Sequence, residues 1–175
     1  WMKVHGVKAS QTARTRAAAK SPISPLLVTT WNQSEPYNLY CPTYNYDISG
    51  TTYNDQCVTG CVATAMAQIM YFHKYPTTIQ NEIPGYTKEL KVNNTDNTLN
   101  IATISAGTTI DWDNMLPSYS SSDTSDKALA VAHLMQYCGT AVKMNYSANS
   151  SGANDAMVSV ALRNYFGYEI GRAHV

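Results

Sequence analysis

The chain has 175 residues, enough for one domain with a hydrophobic core of its own. Its formal net charge is zero and 14% of its residues are charged, which argues against nucleic acid or an anionic membrane as the main partner, because both usually bind a basic surface. No apolar run reaches the roughly 20 residues that a membrane-spanning helix needs.

The two ends of the chain differ from its middle. Residues 1–22 lack apolar periodicity and hold five basic residues, which predicts an exposed linker open to proteases after Arg16 or Lys20. The last seven residues, EIGRAHV, continue no pattern of the chain and match a translated sequencing adapter. We therefore expect natural sequence to end near Tyr168 and residues 169–175 to be a non-native tail, the alternative being a genuine short tail.

The elements between these ends alternate between helix and extended patterns. Residues 23–58 are rich in Pro, Tyr and Asn and predict loops with little regular structure. Residues 60–73 predict the best helix, with apolar Val62, Met66, Ile69 and Met70 at helical spacing and Thr59 as its N-cap. Residues 77–121 predict strands and turns, including the alternating strand LNIATI and a short helical piece in IDWDNMLPSYS.

The last third of the chain predicts two more helices with a strand between them. A helix over 124–138 would be capped by Thr124 or Ser125 and end at Gly139. A helix over 154–166 would have Asn154 as its N-cap and Gly167 as its stop. AVKMNY between them predicts a strand and SANSSGAN a loop. The order of elements predicts an α+β fold in which helices are segregated from a sheet.

Cys61 is the candidate nucleophile of the chain. It opens the first predicted helix, where free backbone N–H groups and the positive end of the helix dipole favour thiolate over thiol. The same N–H groups can hold a developing oxyanion, and Gly60 removes a side chain next to the thiol, so that a substrate backbone could come close. The alternative is a small buried cysteine with no chemical role.

The other cysteines and the histidines offer Cys61 no evident partner. Cys57, Cys61 and His73 could be imagined as metal ligands, but a tetrahedral site needs a fourth, so we expect no metal and no cofactor. Cys41 and Cys138 predict buried thiols or a disulfide, and Cys57 has no assigned role. His73 follows Cys61 by about 18 Å along the helix axis, too far for a direct base, and we interpret it, like His133, as a packed side chain.

Several motifs in fixed order resemble the streptopain family of bacterial papain-like cysteine peptidases. They are PLLVTTWNQSEPYNLYCP, TGCVATAMAQIMYFHKYP, IDWDNMLPSYS, LMQYCGTAVKMNYS, SSGA and ALRNYFGY, and they extend over residues 24–168. The resemblance implies an incomplete papain-like fold, with a central helix carrying the nucleophile and part of an antiparallel sheet. It also implies that Cys61 is the nucleophile and that Ser151, Gly152 and Ala153 line the cleft. A Gln shortly before the Cys supplies an oxyanion donor in papain-like enzymes, which makes Gln56 a candidate.

The chain departs from the family pattern at the catalytic base. The family's His lies in a Gly-His-Ala motif well beyond NYFGY, and a Trp- and Gly-rich segment follows it; this chain contains neither. His174 comes only six residues after Tyr168, so the role is not transferred to it.

We therefore expect the full-length protein to be a cysteine endopeptidase, secreted or at the bacterial surface, that is made as a zymogen. Its partners would be protein or peptide substrates and its own propeptide, whose end is residues 1–22, rather than nucleic acid or membrane. We expect this chain alone to be inactive and to aggregate or stay partly unfolded. Two alternatives stay open: another cysteine-nucleophile hydrolase, such as an amidase or a transglutaminase-like enzyme, and a non-catalytic secreted binding module.

Overall fold

A computed structural model describes residues 24–169 of the chain. The described elements, in chain order, are β1 Thr43–Ile48, β2 Thr51–Gln56, α1 Cys61–His73, β3 Tyr86–Val92, β4 Thr95–Ile101, a 3₁₀ turn Trp112–Asn114, α2 Asp126–Ala141 and α3 Ala156–Phe166. The described residues form three α-helices and two antiparallel hairpins, with α1 between the hairpins, so the α+β prediction is confirmed. No helix in the described range has both the length and the apolar character to cross a membrane.

The strands form two antiparallel hairpins with two-residue turns. In each turn both central residues have positive φ: Ser49 and Gly50 join β1 to β2, and Asn93 and Asn94 join β3 to β4. Such turns match the twist of paired strands and favour Gly and Asn. The hairpins meet where Asn97 Nδ2 donates to Asn45 O at 2.8 Å.

The prediction of little regular structure in residues 23–58 was therefore wrong for 43–56. Most side chains of β1 and β2 are exposed, so these strands lack the apolar alternation that identifies a strand in sequence. The prediction of strands and turns in 77–121 is confirmed by β3 and β4, with Ile104 paired to Ile83 just beyond them. AVKMNY is not a strand, because α2 extends into it and only Asn145 forms an isolated bridge, with Gly152.

All three predicted helices are present, and their ends differ from the prediction. Gly60, not Thr59, occupies the N-cap of α1, and the Thr59 hydroxyl instead lies 2.9 Å from that of Thr64. Helix α2 continues through Gly139, which is packed against the Tyr146 hydroxyl.

Helix α3 begins one position later than predicted. Asp155 takes its N-cap position, although Asn154 Oδ1 accepts a hydrogen bond from Ala156 N at 3.0 Å. At its other end, Gly167 stops the helix in the left-handed conformation, as predicted.

The core lies where α1 packs against α2. Met66 and Met70 are buried from α1, and the Cys138 thiol of α2 lies 3.7 Å from the Met70 sulfur. Ile69, which the spacing placed with these residues, is instead 43% exposed. The packing fixes α1 along its buried side and leaves its N-terminus, with Cys61, at the surface.

Candidate active site

Cys61 is the first residue of α1 and is exposed, whereas the other three cysteines are buried. No acidic residue stands in the first turn of the helix to oppose a negative charge there. The first backbone N–H groups of a helix have no intrahelical acceptor and carry the positive end of its dipole. The site therefore combines access for a substrate with free backbone N–H groups that can hold a developing oxyanion.

The segment that leads into Cys61 is held by backbone hydrogen bonds to three other parts of the chain. Its amides donate to three separate carbonyls: Cys57 to Pro42 at 2.9 Å, Val58 to Ser147 at 3.1 Å and Thr59 to Gln33 at 3.0 Å. Thr64 then closes the first turn, since both its amide and its hydroxyl donate to Gly60 O at 3.1 Å. These bonds fix the position of the Cys61 backbone before any substrate arrives.

Gly60 is required here for a reason that the sequence did not indicate. Its φ is +87°, and a β-carbon would lie 2.6 Å from Met144 Sδ and 3.0 Å from Ser151 O. The residue is buried, and the space that a side chain would take is filled by the protein. The expected opening for a substrate backbone on this face of Gly60 is therefore absent; the glycine allows the 151 loop to pack against the start of α1.

Ser151, Gly152 and Ala153 follow a short turn next to this glycine. Ser151 is buried, and its Oγ both accepts from Ser147 N and donates to Ser147 O, each at 3.0 Å. Gly152 is exposed, and Ala153 is half-buried against the core. The structure thus brings this loop beside Gly60, immediately before the candidate nucleophile.

In this structure the side-chain amide of Gln56 is hydrogen-bonded to backbone carbonyls rather than free to donate to an oxyanion. Its Nε2 donates to Asn38 O at 2.7 Å and to Leu39 O at 3.0 Å, with Cys41 O at 3.3 Å. Both amide hydrogens are therefore occupied by carbonyls of the 38–41 loop. A donor role toward a substrate would require the side chain to leave these acceptors.

Burial separates the remaining cysteines from Cys61 chemically. Cys41, Cys57 and Cys138 are free thiols, so the question left open for Cys41 and Cys138 is answered in favour of buried thiols. Burial raises the pKa of Cys41 to about 12 and that of Cys57 to about 11, and it also raises the pKa of Cys138. All three are poor nucleophiles near neutral pH.

The histidines do not complete a catalytic pair within residues 24–169. His73 is exposed at the far end of α1, so the expectation that it is packed was wrong. His133 is half-buried, and its ring stacks on that of Tyr40 with centroids 3.9 Å apart, which confirms that it packs. No hydrogen bond joins Cys61 to either ring, and His174 lies outside the described residues. No group of three His, Cys, Asp or Glu side chains suited to a metal occurs in the described range.

Two residues that support the site were missed from the sequence. Met144 fills the space beside Gly60, and Asn38 donates from Nδ2 to Cys57 O at 3.0 Å, which holds the segment that leads to Cys61. Neither carries a local sequence signal, because each acts through a contact between segments that are distant in the chain.

The fold defined by these elements is that of papain-like cysteine peptidases. The chain superposes on the structure of active wild-type interpain A, a cysteine protease of Prevotella intermedia, with a TM-score of 0.65 and 38% identity over 83% of this chain and 55% of that one. A structure of a prointerpain A fragment from the same organism matches with a TM-score of 0.65 and 37% identity, over 83% of this chain and 43% of that one.

The sequence comparisons identify the family within this class. The Peptidase C10 family matches residues 31–175, and the chain belongs to that family. It is 34% identical to streptopain of Streptococcus pyogenes over 142 residues, which are 79% of this chain and 35% of streptopain. It is 30% identical to the thiol protease/hemagglutinin PrtT of Porphyromonas gingivalis over 85% of this chain and 17% of that protein. The chain thus spans about a third of the length of streptopain.

Proposed function

We propose that the complete protein is a cysteine endopeptidase that hydrolyses peptide bonds of protein substrates through the Cys61 thiolate. The observation that carries this proposal is the exposed Cys61 at the first position of α1, on a backbone anchored by three segments. Membership of a cysteine peptidase family and the bacterial relatives support it. By the same analogy, the protein is secreted or held at the bacterial surface and is made as a zymogen, with residues 1–22 as the end of its propeptide.

The chemistry would follow from this placement. The thiolate attacks the carbonyl carbon of the scissile bond, and the carbonyl oxygen takes the electron pair and becomes an oxyanion near the free N–H groups at the start of α1. Collapse of this intermediate breaks the C–N bond, and the leaving amine takes a proton. Water then attacks the thioester, which releases the acid and returns the thiolate. The loop of Ser151, Gly152 and Ala153 would border the substrate, and Gly60 would do so through its backbone, since the protein fills the space that a side chain would take there.

Proton transfer needs a base that the described residues do not pair with Cys61. We propose that this base is a His in a Gly-His-Ala segment of the complete protein, and that the 175-residue chain alone is inactive. General acid–base help of this kind is worth about 10²- to 10⁴-fold. Gln56 is the candidate second oxyanion donor, a role that requires its amide to leave the carbonyls of the 38–41 loop.

The test compares the complete protein with its Cys61→Ala and Cys57→Ala variants. We expect casein hydrolysis to be lost in Cys61→Ala and retained in Cys57→Ala, because the second thiol is buried. Full activity of Cys61→Ala would refute the nucleophile, and turnover by the 175-residue chain that disappears in its Cys61→Ala form would refute its inactivity. An active-site epoxide that fails to label Cys61 in the complete protein would favour the binding module.

An amidase or transglutaminase-like activity is the other outcome of this experiment. Cys61 would then be labelled by the epoxide although casein is not cleaved. A transglutaminase-like enzyme would release ammonia from glutamine-containing peptides, and a cell-wall amidase would release new amino groups from cell-wall fragments.

A further inference from the structure

Two buried threonine hydroxyls are connected by hydrogen bonds to the peptide unit that joins Gly60 to Cys61. Thr64 Oγ1 donates to Gly60 O at 3.1 Å, and the hydroxyl oxygens of Thr59 and Thr64 lie 2.9 Å apart. A carbonyl oxygen can only accept, so the Thr64 hydroxyl uses its one hydrogen there and accepts from Thr59. The bonds therefore form a single chain that runs from Thr59 through Thr64 to Gly60 O.

The stability of α1 alone does not explain these hydroxyls. Thr59 is 1% and Thr64 is 7% exposed, and burying a hydroxyl is unfavourable unless it is paired. A threonine that donates to the carbonyl four residues back also weakens a helix slightly, and Ala63 and Ala65 on either side of Thr64 are better helix formers. The position of Thr64 is better explained by the effect of its hydroxyl on Gly60 O.

The Gly60 carbonyl lies in the same rigid plane as the Cys61 N–H. The two groups belong to one trans peptide unit and point in opposite directions, so fixing one fixes the other. Gly60 O accepts from both the amide and the hydroxyl of Thr64, each at 3.1 Å. Among the described residues the Cys61 N–H has no acceptor of its own, which leaves it free to donate to an oxyanion.

We propose that Thr64 and Thr59 are positioning residues for the reaction at Cys61, which orient and polarise the Cys61 N–H as an oxyanion donor. Hydrogen bonds in a chain strengthen one another, so donors at Gly60 O increase the positive charge on the N–H at the other side of the peptide unit. Both hydroxyl hydrogens stay on their oxygens throughout. The proposal rests on the proposed function, because an oxyanion forms only if Cys61 attacks a carbonyl group.

Peptide hydrolysis by the complete protein tests this role. Thr64→Val keeps the shape of the side chain and removes its hydroxyl. We expect kcat to fall about tenfold with KM near the parental value, because the N–H acts on the transition state, and the loss should stay below the 10²- to 10³-fold that removal of a whole oxyanion donor costs. Thr64→Ser keeps the hydroxyl and should recover most of kcat. A parental kcat in Thr64→Val, or no recovery in Thr64→Ser, would overturn the proposal.

Thr140 provides a matched control for the loss of a buried helical hydroxyl. Its Oγ1 donates to Gln136 O at 2.9 Å in α2, with the same four-residue spacing, and the residue is 1% exposed. Thr140→Val should therefore lower stability and leave kcat unchanged, and an equal loss of kcat in Thr64→Val and Thr140→Val would contradict a positioning role. If Thr64→Val fails to fold, a double change of Thr59 and Thr64 to Val leaves neither hydroxyl unpaired and should show the same loss of kcat.

Two thiol reagents separate this proposal from the assignment of the nucleophile. A peptide aldehyde forms a C–S bond with Cys61, and its oxygen takes the electron pair of the C=O bond and the place of the oxyanion. Iodoacetamide alkylates the same sulfur by displacing iodide, without an oxyanion. Thr64→Val should weaken aldehyde binding about tenfold and leave the rate of alkylation unchanged. Equal loss with both reagents would overturn the positioning role, whereas a parent protein whose Cys61 reacts with neither would refute the proposed function and this proposal with it.

Discussion

Met144 occupies the space in which any residue other than glycine at position 60 would carry its β-carbon, with Sδ 2.6 Å from that point. Met144 follows α2, and Gly60 precedes α1, so this one contact joins the two helices at the end where Cys61 lies. The position also has φ of +87°, which a side chain disfavours. Both restrictions act on the backbone that positions the thiol.

Gly60→Ala should therefore destabilise the protein by more than the conformational penalty alone. Positive φ at a non-glycine residue costs on the order of 1 kcal/mol, and the contact with Met144 and with the rigid Ser151 carbonyl should add to it. The measurement is the free energy of unfolding in urea. Gly107→Ala is the matched control, because its φ is +83° and nothing lies within 4 Å of the added carbon. Equal losses in the two variants would show that the packing around Gly60 has no energetic role.

The four thiols should react with iodoacetamide in two separate classes. Cys61 is exposed at a helix N-terminus, whereas Cys41, Cys57 and Cys138 are buried and have raised pKa values. Native protein at pH 7.5 should therefore lose one thiol quickly, identified by peptide mass mapping as Cys61, and the other three only on unfolding. Cys61→Ala should remove the fast phase. Rapid labelling of a second cysteine in the folded protein would contradict the buried positions.

Gln56→Ala should reveal whether this side chain holds the 38–41 loop or serves the reaction. Its amide donates to three carbonyls, and removing buried partners of this kind typically costs about 1–3 kcal/mol of stability. We expect a lower free energy of unfolding and a more mobile loop, read by hydrogen exchange at Cys41. A variant of parental stability whose kcat in the complete protein falls about 10²- to 10³-fold would instead support an oxyanion donor.

The sequence predicted the helices well because their information is local. The apolar spacing after Cys61 and the glycine after Phe166 each lie within one helix, and both appear in the structure. The hairpin of residues 43–56 was missed because its strands are mostly exposed and carry no apolar alternation. Helix α2 continues beyond its predicted end at Gly139, where the Tyr146 hydroxyl packs against the glycine. No local sequence pattern encodes this contact.

The candidate active site shows the same difference between features set by local sequence and features set by contacts between distant segments. The thiol at a helix start could be found from TGC and the helix after it. The streptopain resemblance predicts a cleft-lining role for the loop at Ser151, which lies beside Gly60 in the structure. The bonds of Gln56 and the unpaired oxygen of Asn38 could not be found, because each depends on how two distant loops meet. The packing of Met144 against Gly60 could not be found for the same reason, since the two residues are 84 positions apart.

His133 should make the stability of the protein decline in weak acid. Burial lowers the pKa of His133, against a smaller opposing effect of Gln136, so its folded value lies below the ordinary value of about 6.5. The unfolded chain then binds more protons in this range, and protonation favours unfolding. The ring contacts Tyr40 and Tyr137, and the carboxylates of Asp111 and Asp126 border the same small cavity.

The contribution of neutral His133 is fully present above pH 6.5 and is lost as the pH falls through the folded pKa. The free energy of unfolding, measured by urea titration between pH 7.5 and 5, should therefore fall less in His133→Gln than in the parent. His73→Gln, which changes an exposed ring, is the control and should follow the parent curve. An unchanged slope in His133→Gln would mean that this ring does not titrate with unfolding.

The exposed side of α1 should make the 175-residue chain associate in solution. Cys61, Ala65, Ile69 and Phe72 lie on one exposed side of the helix, and Phe72 also borders an apolar cavity of about 270 Å³ formed with residues 26–29. Large exposed apolar patches on soluble proteins mark surfaces that contact other molecules. We expect sedimentation velocity to show oligomers whose proportion rises with concentration.

A double change, Ile69→Ser with Phe72→Ser, should shift this distribution toward monomer and lower the binding of a hydrophobic dye. Val160→Ser removes an exposed apolar side chain from α3 and should leave both readings close to those of the parent. The serine pair changes no buried residue of α1, so helix content by circular dichroism should be retained. A parent chain that stays monomeric at high concentration and melts in one sharp transition would contradict the expected association. It would mean that the exposed side of α1 is stable in contact with solvent.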